Sequence, residues 1–195
     1  MAERGRVAIG LSEFWAATYS NTNGVTTYAN AFKVGRAVSW EISPEDGGDN
    51  IFYADNKAAE DLGGSGSTGE TTLTIDGLLF ETANKLAGIT ASGGAAVYTS
   101  AARPYFGVGA VIKRLSGGEI TWQRIILHKV RFNHTPTSVS TQGETTEAQT
   151  QELSGTFFPD DTAVPAWKTV YEDANSEAAA LEFIQTFLGG GGGQQ

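Results

Sequence analysis

The stretch from Tyr105 to Phe132 constrains the fold more than any other part of the chain. In YFGVGAVIKRL, Phe106, Val108, Ala110 and Ile112 fall on one face of an extended strand. Ser116-Gly117-Gly118-Glu119 supplies a turn, and ITWQRIILHKVRF returns. On the return strand Ile120, Trp122, Arg124, Ile126, His128, Val130 and Phe132 share a face, which Trp122, Ile126, Val130 and Phe132 make mainly apolar. A period of two sustained over both arms commits the chain to an antiparallel hairpin and so to a sheet. Gly107 and Gly109 lie on the opposite face of the first arm, where another group is expected to approach the backbone closely.

The remaining segments are read the same way. Residues 25–42 are expected to be β structure, with Val38, Trp40 and Ile42 alternating with Ser39 and Glu41 before Ser43-Pro44 breaks the strand. A long polar loop is expected to about Glu70, after which TTLTI, Thr71 to Ile75, resumes the sheet. Asp76 is expected to cap a short helix through Ala87, stopped by Gly88, and residues 91–95 to turn. Glu147 to Phe157 reads as a polar strand ended by Pro159-Asp160-Asp161, and Pro165 to Asp173 as a short helix with proline in its first turn. Asn175 is expected to cap Glu177 to Leu188, where Ala180, Leu181, Ile184, Phe187 and Leu188 recur at helical spacing. Trp15, Trp40, Trp122 and Trp167 are expected to pack in the core. The order of elements gives α+β, mainly antiparallel β, as one domain over residues 1–188 with a disordered glycine-rich tail at 189–195.

Composition narrows the chemistry. The 195 residues contain no cysteine, which excludes disulfides, thiolate metal sites and cysteine nucleophiles. A net charge of −9 opposes tight binding to nucleic acid, where Lys and Arg supply most of the affinity. No apolar run approaches the roughly 20 residues that span a bilayer. The apolar patch in MAERGRVAIGL is far too short for a secretory segment, and a cytoplasmic site of synthesis is expected.

Charge is unevenly spread. Residues 41–70 carry Glu41, Glu45, Asp46, Asp49, Asp55, Glu60, Asp61 and Glu70 against Lys57 alone. Residues 103–131 carry Arg103, Lys113, Arg114, Arg124, Lys129 and Arg131 against Glu119 alone. Two such patches on one chain can pair head-to-tail between copies, closing into rings or running on as filaments. They can equally be two solvated faces of a monomer.

Catalytic and ligand-binding motifs are weak. Gly64 to Thr71 imitates a phosphate-binding loop but has Glu70 where lysine must hold the phosphates. Asp46, Asp49, Asn50 and Asp55 cluster oxygen ligands at spacings that do not match an EF-hand. His128 is expected to be a satisfied core or interface histidine, and His134 lies at a strand end; neither has a third metal ligand at a recognisable spacing. No nucleophile elbow is present. No enzyme activity and no cofactor are expected. The feature that stands out is ISPEDGGDNIFYADN, Ile42 to Asn56, an acidic, glycine-rich stretch with Ile51, Phe52 and Tyr53 at its centre. A connecting loop needs no aromatic cluster; a docking loop does.

Three places in the chain carry a family resemblance: Ile9-Gly10-Leu11 followed by Phe14-Trp15 and Tyr19; Val38 to Asn56 with the tetrad Tyr53-Ala54-Asp55-Asn56; and the hairpin Tyr105 to Phe132 with the threonine- and glutamate-rich strand to Gly155. In these the chain resembles the major tail (tail tube) proteins of long, non-contractile-tailed bacteriophages, nearest the phi13-type major tail proteins. The five-glycine C-terminus is not a feature of that family. The resemblance implies a β-sandwich or half-barrel protomer with a flanking helix, residues 1–24 as an N-terminal arm and residues 43–70 as a long acidic loop between rings. It implies hexameric rings stacked into a hollow tube that passes phage DNA without gripping it, in a virion assembled in the host bacterial cytoplasm. Its partners would be itself, the tape measure protein, the tail tip and the tail terminator, with no membrane. On this reading Asp46, Asp49, Asn50, Ile51, Phe52, Tyr53, Asp55 and Asn56 are the stacking residues, with Arg114, Arg124 and Arg131 as candidate charge partners. The alternatives are a soluble carbohydrate- or calcium-binding module and, within assembly, a capsid decoration or head–tail joining protein.

Overall fold

In the computed structural model, residues 5–45, 51–54, 57–61, 68–99, 102–134 and 150–189 are described, with the backbone alone for 51–54 and 57–61. The strands are β1 (Val7–Thr22), β2 (Val25–Gly35), β3 (Ala37–Glu45), β4 (Ile51–Ala54), β5 (Lys57–Asp61), β6 (Thr68–Ile75), β7 (Phe106–Ser116), β8 (Glu119–Phe132), β9 (Gln151–Phe158) and β10 (Lys168–Ala174). The helices are α1 (Phe80–Ala87) and α2 (Glu177–Leu188). Eight strands form one antiparallel sheet in the order β2-β1-β7-β8-β9-β6-β3, with β10 also paired to β8; β4 and β5 pair separately. The fold is α+β and mainly antiparallel β.

The β7–β8 hairpin forms as its pattern requires. Its turn is Gly117-Gly118, both with positive φ (61° and 93°), a conformation that matches the twist of the flanking strands. The single apolar face expected on β8 does not survive intact. Phe106 pairs with Val130 and Val108 with Leu127, so His128 and Lys129 both lie opposite Gly107. This β-bulge shifts the alternation by one residue. Trp122, Ile126 and His128 therefore face one layer, while Leu127, Val130 and Phe132 face the other.

The two layers are distinct cores. On one face the sheet curls over, so that Phe14 and Val34 of the β1–β2 end meet Leu73, Ile75, Leu153 and Phe157 of the β6–β9 end. Trp40 of β3 reaches Phe14 edge-on at 5.2 Å, and Leu86 of α1 joins this cluster. On the other face α2 lays Ala180, Ile184, Phe187 and Leu188 against Tyr28, Val111 and Ile126. Gly107 and Gly109 are small because this layer presses on them: a Cβ at Gly107 would overlap the Tyr28 ring, and one at Gly109 would come within 3.1 Å of Ile184. All four tryptophans pack against these cores, Trp40 and Trp167 on one and Trp15 and Trp122 on the other.

Several boundaries differ from the sequence expectation, each for a physical reason. Pro44 does not end β3; it pairs with Gly69, and the strand runs to Glu45. Among the described residues β3 pairs on one side only, and a residue lacking an N–H is tolerated in such an edge strand. The polar loop contains the β4–β5 hairpin. The segment expected to be an N-terminal arm is the inner strand β1, in which Phe14, Ala16 and Ala17 are fully buried. Asp76 does not cap α1: its carboxylate pairs with Arg36 and its N–H donates to the Arg36 carbonyl, and Leu79 stands at the N-cap without a side-chain bond. Gly88 stops α1 as expected. Pro165 to Asp173 is not helical. Thr169-Val170-Tyr171 instead fills the edge of β8 that β9 leaves empty, since β9 covers only Lys129–Phe132 and β10 takes Trp122–Leu127. The cap of α2 is Ser176, one residue beyond Asn175, accepting from the Ala179 N–H at 3.2 Å. Residues 190–195 lie outside the described residues.

Candidate assembly surface

The sheet has open edges among the described residues. β2 pairs only with β1, and β3 only with β6. The β1–β2 register begins at Phe14 and Gly35, so Val7 to Leu11 pair with β7 and with no second strand among the described residues, while Glu13 reaches β2 through its ion pair with Lys33. At this end Val7, Leu115 and Ile120 are cross-strand neighbours and are 64%, 37% and 41% exposed, a row of aliphatic side chains in water. Arg114 and Thr121, the next pair along, point to the opposite face. There they converge on Asp173, whose side chain is only 4% exposed: Thr121 donates at 2.6 Å, Arg6 at 2.8 Å, and Arg114 stands at 3.5 Å. Burial pushes the Asp173 carboxyl up, but Thr121 and the Arg114 and Arg6 guanidiniums outweigh it and hold it below the usual carboxylate range.

At the other end of the sheet, β3 carries exposed Val38, Glu41 and Glu45 beside exposed Glu70 of β6. The acidic segment leaves the sheet here, beyond the Glu45–Thr68 pair. Ile51, Phe52 and Tyr53 lie in β4, opposite Asp61, Glu60 and Ala58 of β5. Asp46, Asp49, Asn50, Asp55 and Asn56 lie outside the described residues.

The three arginines marked as charge partners have separate surroundings. Arg114 belongs to the Asp173 cluster and also donates to the Arg6 carbonyl. Arg124 donates to the Glu172 carbonyl at 2.5 Å and lies over the Phe183 and Tyr171 rings, clamping β10 and α2 together. Arg131 lies over Tyr105 and Phe158 at 5.6 and 5.5 Å. Arg103, which the sequence marked as basic but not as a charge partner, donates to the Phe132 carbonyl at 2.8 Å and to Asn133 Oδ1 at 3.0 Å, the two residues that follow Arg131.

His128 sits at the bulge, 1% exposed, in a closed polar network. Its Nδ1 is 3.0 Å from the Tyr28 hydroxyl and its Nε2 2.7 Å from the Thr169 hydroxyl. With the proton on Nδ1, that N–H donates to Tyr28, Tyr28 donates to the His128 carbonyl, and Thr169 donates to Nε2, so every group is satisfied. Asp160 Oδ2 stands 3.9 Å from Nδ1, while Oδ1 accepts from Thr162 and from the Ala166 N–H and pins the β9–β10 connection. Burial lowers the His128 pKa, with Asp160 opposing, and burial pushes the Tyr28 phenol up. A hydroxyl, an imidazole and a carboxylate in sequence have the makings of a nucleophile triad. Here the imidazole is enclosed and all its bonds point inward, which is the arrangement of a structural brace.

The other motifs read likewise. Gly69-Glu70-Thr71 is paired strand within β6 rather than a phosphate-binding loop. No group of three or more metal-ligating side chains occurs among the described residues. No helix among them is long and apolar enough to cross a membrane. No protein-family model matches the chain, and no curated protein sequence matches it.

Proposed function

We propose that this chain is a structural virion protein, the major subunit of a phage tail tube, acting without catalysis or cofactor. The observation that carries the reading is the sheet's unfinished ends: among the described residues, β2, β3 and the first half of β1 each leave a backbone edge open, next to an exposed aliphatic row. Soluble monomers blunt or cover such edges, and a ring closes them. In this reading the curled sheet is the protomer's half-barrel wall, α2 flanks it, and sheets join around a hexameric ring. The acidic segment with Ile51, Phe52 and Tyr53 reaches the next ring, and the tube runs from tail terminator to tail tip around the tape measure. A net charge of −9 suits a passage through which DNA slides unheld.

Negative-stain electron microscopy over a concentration and salt series tests this. Stacked rings or hollow tubes are the expected result. Phe52→Asp with Tyr53→Asp is expected to melt like the parent protein and to form no tubes; normal tubes from that variant would remove the segment from the interface. Particles that stay single, together with a melting temperature raised by millimolar calcium, would favour a calcium-binding module instead.

A further inference from the structure

The basic side chains differ in what neutralises them. Among the described arginines, Arg6, Arg36 and Arg114 are matched by carboxylates, and Arg124 is held inside the β8–β10–α2 joint. Lys129 is likewise neutralised, with both Asp161 oxygens at 2.7 Å. Among the described residues, Arg103 and Arg131 meet only neutral groups: a carbonyl, an amide oxygen and two aromatic faces. These contacts fix both guanidiniums in place without a carboxylate partner among the described residues. Tyr105 and Phe158, packed edge-to-face at 5.9 Å, frame the patch with half-buried rings. A cationic patch with an aromatic floor suits an acidic segment that carries aromatic side chains of its own.

We infer that the Arg103–Arg131 corner, with Tyr105 and Phe158, docks the acidic segment 41–61 of a second copy of this chain. That segment supplies seven carboxylates against Lys57, and Phe52 and Tyr53 in its middle. The inference deepens the tube reading and rests on it, replacing Arg114 and Arg124 by Arg103 as the partner of Arg131.

The test is binding of a fluorescein-labelled peptide of residues 41–61 to the full chain, held dilute enough to stay unassembled and followed by anisotropy. Binding that weakens with added salt is expected. Arg103→Ala with Arg131→Ala is expected to weaken it at least tenfold while keeping the parent's circular dichroism, with melting lowered by the hydrogen bonds lost at Phe132 and Asn133. Lys168→Ala, an exposed cation elsewhere on the fold, is expected to leave it unchanged. Equal affinity for parent and double variant overturns the proposal. So does a scrambled peptide of the same composition binding as tightly, or a single-stranded oligonucleotide binding the patch in its place. Tubes without peptide binding defeat the docking site alone; peptide binding that depends on Arg103 and Arg131 without tubes defeats the tube reading and leaves the site.

Discussion

At the scale of single residues, the bulge at His128 and Lys129 decides how two cores share one strand. Gly107 stands opposite it and leaves room for the Tyr28 ring, whose hydroxyl then reaches His128. Gly107→Ala forces a methyl into that ring and is expected to cost about 2 kcal/mol by overpacking. Gly5→Ala, which meets nothing within 4 Å, is expected to be neutral; chemical denaturation compares the two. His128 makes a second prediction. Its pKa is lowered in the fold from the usual 6.5, so the unfolded chain takes up the proton first. Stability is therefore full above about pH 7 and falls as the pH drops through 6.5 toward the depressed folded value. Asp161, held low by Lys129, and Asp173, held low by Thr121 and the Arg114 and Arg6 guanidiniums, contribute stability lost only below about pH 4. The slope of melting temperature between about pH 6.5 and 5 is expected to flatten in His128→Gln, whatever that variant loses in absolute stability. An unchanged slope would mean that another group titrates there.

At the scale of elements, periodicity revealed the hairpin, β6, β9 and α2, because each sets its own alternation against one buried face. It failed where the partner supplied the reason for the structure. Residues 168–174 carry Thr169, Val170 and Tyr171 and could extend or coil; the half-empty edge of β8 chose extension. Pro44 looked like a strand end because only tertiary pairing shows that β3 has one used edge. Proline at this edge also carries no N–H to offer a passing strand. Pro44→Thr is expected to leave monomer stability within about 0.5 kcal/mol while hastening edge-to-edge association, read as faster growth of light scattering. Unaltered scattering would show that this edge is not the one that associates.

At the scale of the whole molecule, Arg131, Thr156 and Glu70 stand in one row across β8, β9 and β6, so the basic corner lies two strands from the point where the acidic segment leaves the β3–β6 ladder. Docking between such patches weakens as salt shortens the Debye length from about 14 Å at 0.05 M to about 4 Å at 0.5 M. Assemblies of the parent protein are expected to sediment more slowly across that range. Assemblies indifferent to salt would place the holding energy in the apolar row Val7, Leu115 and Ile120 instead. Alternation, turn chemistry and charge distribution are local properties, and residue order alone settled them: an antiparallel sheet, a capped C-terminal helix, an acidic segment with aromatic centre. Which edges are open and which arginines lack a carboxylate among the described residues, and where a bulge divides one apolar face into two, were decided by tertiary structure. Each depends on what the chain brings alongside from a distant position, and no window of sequence contains both partners.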